Sequence, residues 1–132
     1  IAALQVESEA VFLKIAFPKA SVQIAEDQHA RFWLPDPSDI HVLAAAVIGG
    51  ADGIVTLNNK DFPEDILAEE CLTRVNPDSL LLGIWQTDPD MVTALAQEAL
   101  DKANQFSDKL WTMKTLLKKA RLHRLGAALA MA

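Results

Sequence analysis

An α/β fold is what this sequence predicts: a parallel sheet with helices over residues 1–75, then a helical C-terminal extension over residues 76–132, packed on that core. Three stretches carry the prediction. Residues 42–48 are apolar almost all round, as a helix pressed between a sheet and a second helix must be. Residues 53–57 are short, rich in β-branched side chains and apolar on both faces, the pattern of a buried parallel strand. From Asn76 onward apolar residues recur at helical spacing.

Taken in order, Leu4, Val11, Phe12, Ile15 and Ala16 fall on one face of an amphipathic opening helix, with Gln5, Glu7, Ser8 and Lys14 between them and Pro18 closing it. Residues 20–24 alternate and hold Val22 and Ile24, which predicts a short strand; residues 25–35 read as polar connection. Asp36 can cap and Pro37 open a helix over 37–48, with Asp39 in the place of a capping-box acid and Gly49-Gly50 as its stop. Asn58 to Asp61 end the strand that follows. Asp61 and Glu64 repeat the capping pattern and predict a helix to about residue 70, with the next strand at 71–75. This βαβ arrangement implies a right-handed crossover. Four helices follow: one from Pro77 to Trp85, one from Pro89 with Met91, Val92, Leu95, Ala99, Leu100 and Ala103 on a face, one capped by Ser107 or Asp108, and one over 122–132.

Composition narrows the function classes. At 132 residues and 51% hydrophobic content the chain is one domain's worth of sequence with ample core material. Aromatic residues make up only 6%, so aliphatic and alanine side chains must fill that core. A net charge of -6 argues against coating nucleic acid by bulk electrostatics, while leaving local basic patches open. The single cysteine, Cys71, excludes an internal disulfide, suits a reducing, cytoplasmic compartment and reads as a small buried hydrophobe. No histidine stands at zinc-ligand spacing from it. The longest apolar run, residues 42–51, is too short for a membrane span. Ile1 is not an initiator methionine, and residues 1–17 read as mid-helix, so a segment upstream is expected.

Ligands of open parallel sheets collect beyond the carboxyl ends of the strands, where Asn58 and Asp61 lie. Asp36 and Asp39, at the start of the preceding helix, reach the same edge if the crossover brings them there. Carboxylates and an amide meeting at one rim are hard oxygen ligands suited to Mg²⁺ or Mn²⁺. Such a cation activates water and neutralises charge on a phosphodiester. Capping alone also accounts for Asp36, Asp39, Asp61 and Glu64, and a helix surface for His41, otherwise a substrate contact. An aspartyl phosphatase is disfavoured, because no strand ends in a closely spaced aspartate pair and no glycine-rich phosphate loop occurs.

The thirty contiguous residues 34–63, running Leu34-Pro-Asp-Pro-Ser-Asp-Ile-His-Val-Leu-Ala-Ala-Ala46 and then Gly50-Ala-Asp-Gly-Ile-Val-Thr-Leu-Asn-Asn-Lys-Asp-Phe-Pro63, resemble the core of PIN-domain proteins, in the branch akin to VapC-type toxins. The resemblance extends to Phe17-Pro18 after the first helix and to the helical C-terminal extension. It implies a three-layer α/β/α fold, incomplete at the N-terminus, and a Mg²⁺- or Mn²⁺-dependent ribonuclease, the toxin of a bacterial toxin–antitoxin pair. Catalytic residues would then be Asp39, Asn58 and Asp61, with Asp39 and Asp61 on the metal. The family often has an acid where Asn58 stands. Its other acids lie on an early strand and helix, expected upstream of Ile1; Glu7 and Glu9 read instead as a solvated helix face. A chain without those acids could be inactive, and the alternative is an inert PIN-fold binding or scaffold module. RNA, an antitoxin protein and a second copy of the chain are the partners implied.

No acid follows Asp108, while Lys114, Lys118, Lys119, Arg121, His123 and Arg124 crowd together. This basic helix can steer RNA phosphates or an acidic partner, or form a solvated face around Leu116, Leu117 and Leu125. Trp33, Trp85 and Trp111 can stack bases or serve as packing anchors.

Overall fold

A computed structural model describes residues 2–131 in backbone and residues 7–131 in side-chain environment; Ile1, Ala132 and the side chains of Leu4 and Gln5 lie outside the described residues. The fold is mixed helix and strand, with a two-stranded parallel sheet. In order it comprises α1 (Ala2–Ala16), α2 (Glu26–His29), a 3₁₀ turn (Pro37–Asp39) leading into α3 (Ile40–Ile48), β1 (Gly53–Val55), α4 (Glu64–Glu69), β2 (Thr73–Val75), α5 (Pro77–Thr87), α6 (Pro89–Gln105), α7 (Met113–Lys119) and α8 (His123–Met131). Among the described residues no helix is long and apolar enough to cross a membrane. Two compact units emerge: residues 1–54 with 58–74, and residues 55–57 with 75–132.

The first unit is built round α3. Leu43 and Ala44 on its inner face join Phe32, Leu34, Ile54, Phe62, Leu67 and Leu72 in one buried cluster, with Leu34, Leu43 and Leu67 the largest fully buried side chains. Residues 25–35 are therefore more than a polar connection: they contain α2 and deliver Phe32 and Leu34 to the core. The strand expected at 20–24 does not form. Val22 and Ile24 are half-buried and their neighbours exposed, so the alternation does mark one-sided burial, but no ladder partner is present among the described residues and the segment stays extended coil. Two further corrections concern exposure. Val55 and Leu57 are 52% and 46% exposed, so the β1 segment is not covered on both faces. Cys71 is exposed, not buried: at φ 60° it is the left-handed residue closing α4, where Leu72 N–H reaches back to Leu67 O at 2.9 Å.

The second unit is helical. Asn76 caps α5 through Asp78 N–H and Ser79 N–H, and Asp88 caps α6 through Met91 N–H. Thr112, not Ser107 or Asp108, caps α7, by a reciprocal pair of bonds with Thr115. On α6 only Val92 is buried, while Met91, Leu95 and Ala99 of the expected face are exposed. Asp78 is the one buried polar side chain among the described residues, and it accepts Arg124 N–H at 2.8 Å and Leu125 N–H at 2.9 Å. A carboxylate in the first turn of α5 thus also caps α8, satisfying two donors that a helix start leaves unpaired.

Candidate functional site

The turn that begins α3 and the loop that follows β1 carry the acids of the first unit. Asp36 Oδ1 accepts Ser38 N–H at 3.0 Å and Ser38 Oγ–H at 2.7 Å, and Asp36 O accepts Asp39 N–H at 3.0 Å. These bonds wind the 3₁₀ turn and aim Asp36 and Asp39 to one side. The Ser38 hydroxyl first, and its backbone N–H second, hold the Asp36 carboxyl below its ordinary pKa, so it is ionised well into the acid range.

In the loop after β1, Asn58 Nδ2 donates to Asp61 Oδ2 at 2.9 Å, and Asn58 Oδ1 accepts Asp61 N–H at 3.2 Å. This double link replaces the capping role expected of Asp61; α4 starts from Pro63 with no side-chain cap. Arg74 fixes the same loop from β2. Its Nη1 donates to Asn59 O at 3.3 Å and Phe62 O at 3.1 Å, and its Nη2 to Glu64 Oε1 at 3.0 Å.

The two segments converge. Asp36, Asp39 and Asp61 each offer a carboxylate oxygen, and the three oxygens lie within 4.8 Å of one another. Against families of known proteins, curated proteins and solved structures, the chain has no match. The site therefore stands on its own geometry: three carboxylates gathered closely enough to hold a metal ion, a grouping that exposed acids also adopt without one. Asn58 adjoins this group through Asp61 rather than as a fourth acid.

The sequence offers Asp39 and Asp61 as ligands and Asp36 both as a cap and as an acid of the same rim, and the structure shows the cap and brings the three carboxylates together. Arg74 was missed, because nothing in the pattern of a strand arginine signals that it will reach three groups 10 to 15 residues earlier in the chain. His41 is exposed and lines a cavity of about 480 Å³ with His29, Glu26, Ile24 and Ala25.

In the second unit the predicted basic residues divide. Lys118, Lys119 and Arg121 line an open groove of about 800 Å³ together with Lys109, Trp111, Thr115 and His123. Lys114 and Lys118 border a smaller cavity of about 260 Å³ against Leu122, Gly126 and Ala130. Arg124 is engaged elsewhere: beyond its N–H bond to Asp78, its Nη1 donates to Ser79 Oγ at 3.2 Å. Trp33 is 65% exposed, and Trp85 buries its Nε1–H with no partner among the described residues. Trp111 is half-buried, with the Lys109 ammonium 4.9 Å from its ring centroid.

Proposed function

We propose that this chain is a metal-dependent ribonuclease of PIN type, with a three-layer α/β/α core, acting in the cytoplasm as the toxin of a bacterial toxin–antitoxin pair. One observation carries the reading: Asp36, Asp39 and Asp61, from segments more than twenty residues apart in sequence, bring their carboxylate oxygens within 4.8 Å of one another. Capping does not require such convergence, and a cation between the carboxylates relieves the repulsion of like charges at this separation.

Asp36, Asp39 and Asp61 would hold Mg²⁺ or Mn²⁺, hard cations that suit an all-oxygen set. When bound, such a cation supplies an activated water and neutralises phosphodiester charge. The chain's own residues prepare the place. Ser38 keeps Asp36 ionised, Asn58 orients Asp61 through Oδ2, and Arg74 holds the intervening loop to β2. An antitoxin protein and a second copy of the chain are the proposed protein partners.

Calorimetric titration with MnCl₂ or MgCl₂ tests the reading together with cleavage of labelled RNA. Asp39→Asn and Asp61→Asn should each weaken cation binding at least about tenfold and abolish cleavage. Undiminished cleavage by Asp39→Asn would remove it from the mechanism. The second reading is a catalytically inert PIN-fold module, favoured by one feature: Asn58 is neutral and spends its amide on Asp61 Oδ2, an oxygen a metal would otherwise use. Absence of any cation binding by the unaltered chain would establish it over the enzyme.

A further inference from the structure

The groove beside α7 belongs to none of the chemistry above. Residues 109–132 contain six of the chain's twelve Lys and Arg and none of its eighteen Asp and Glu. Sequence alone leaves open whether these cations point in all directions. The structure gathers Lys109, Lys118, Lys119, Arg121 and His123 round one open concavity, with Trp111 in its wall.

We propose that this groove binds single-stranded RNA, its phosphates lying against Lys118, Lys119 and Arg121 and one base stacking on Trp111; the choice of RNA over other polyanions rests on the ribonuclease reading. The backbone at Trp111 is firmly held. Asn104 Nδ2 donates to Trp111 O at 3.0 Å, and Asn104 Oδ1 accepts Trp111 N–H at 2.6 Å, so the backbone of a residue outside any helix is locked to α6. The Lys109 ammonium lies over the ring, 4.9 Å from its centroid, so a π face already meets one cation. An exposed cation–π contact is worth less than base stacking on an aromatic platform, so a base displaces the ammonium, which then meets the adjacent phosphate. A charged groove with an aromatic wall is the arrangement that tracks a single strand without reading its sequence. An acidic peptide would need the cations but would leave the indole face unused.

Arg121 adds an independent sign. It sits at φ 61°, closing α7 through its N–H to Lys118 O at 3.0 Å and Leu122 N–H to Leu117 O at 2.8 Å. Glycine suits this left-handed position better than any side chain, so the backbone gains nothing from an arginine here. The position carries a guanidinium despite the local strain, and the groove gives that charge a use.

The test is fluorescence anisotropy of the full chain with a fluorescein-labelled 12-mer oligouridylate in EDTA, so that no divalent cation takes part. Lys118→Ala/Lys119→Ala should weaken binding at least tenfold above 0.1 M salt and lower the slope of log affinity against log salt by about 1.4, two phosphate contacts' worth on a single strand. Trp111→Phe should lose less than Trp111→Leu, which should lose about five- to hundredfold. Arg121→Gly should weaken binding while its melting temperature stays level or rises, a separation that a structural role would not give. Unchanged affinity and slope in the lysine pair overturn the proposal, as does equal binding of an RNA duplex. So does tighter binding of a labelled polyglutamate of equal length, which would assign the groove to an acidic protein. Because metal is excluded, a failed cleavage assay sinks the nuclease reading and leaves this result standing; a failed groove titration does the reverse.

Discussion

At the scale of single residues, Asp36 both caps the 3₁₀ turn and stands in the group of three carboxylates. Its two bonds from Ser38 both fall on Oδ1, so Oδ2 takes no part in the cap. Removing the Ser38 hydroxyl takes away the largest cause of the lowered Asp36 pKa, so Ser38→Ala should move it upward, measurable by carboxyl NMR titration. The sign follows from linkage. A carboxyl whose pKa is depressed by folding contributes stability above its unfolded pKa and loses that contribution as pH falls through the folded value, so Ser38→Ala should narrow the acid range over which the turn, and any bound cation, survives. An unmoved Asp36 titration would show that Ser38 does not govern it. Arg74 makes a contrasting case. Its salt bridge to Glu64, whose side chain is 74% exposed, is worth little in water, whereas its bonds to the carbonyls of Asn59 and Phe62 satisfy backbone acceptors of the loop. Arg74→Ala should cost about 1–3 kcal/mol in urea unfolding and Glu64→Ala under about 0.5; comparable losses would return the weight to the ion pair.

At the scale of elements, α3 was the most legible part of the chain, because its start, its apolar body and its glycine stop all act locally. The extended segment before α2 was legible only by half. Alternation at Val22 and Ile24 reported burial on one side, but a strand also needs a hydrogen-bonded neighbour, and that is a property of the fold and not of the segment. Gly49 shows where this segment lies: a β-carbon there would stand 2.8 Å from Ala45 O and 2.9 Å from Val22 Cγ2. Gly49→Ala should therefore destabilise by about 1–3 kcal/mol despite its ordinary helical φ, and adding Val22→Ala should recover part of the loss, since one of the two clashes is then relieved. Simple additivity of the two substitutions would argue that Val22 does not cover Gly49. By the same local logic, Asp78→Ala should cost about 2–3 kcal/mol and speed amide exchange in the first turn of α8, where Arg124 and Leu125 lose their acceptor. The α5–α8 link could not be read in sequence, as 46 residues separate the partners.

At the scale of the whole molecule, two opposed fields act on any polyanion. The chain's net charge of -6 repels it, while the cations round the α7 groove attract it at close range. Which field wins depends on screening. At about 0.01 M salt the Debye length is roughly 30 Å, so a ligand feels the net charge of the chain; at about 0.1 M it shrinks to roughly 10 Å and the charges that line its own site dominate. Affinity for oligouridylate should therefore turn over with salt, rising from about 0.01 M to about 0.1 M before falling as phosphate contacts are screened in their turn. A protein with an evenly spread negative charge would bind steadily better as salt screens the repulsion, and one ruled by its basic patch alone would weaken monotonically from the lowest concentration. Anisotropy titrations across that range decide among the three, and a monotonic fall would mean that the groove's field dominates even where the chain's acids are unscreened.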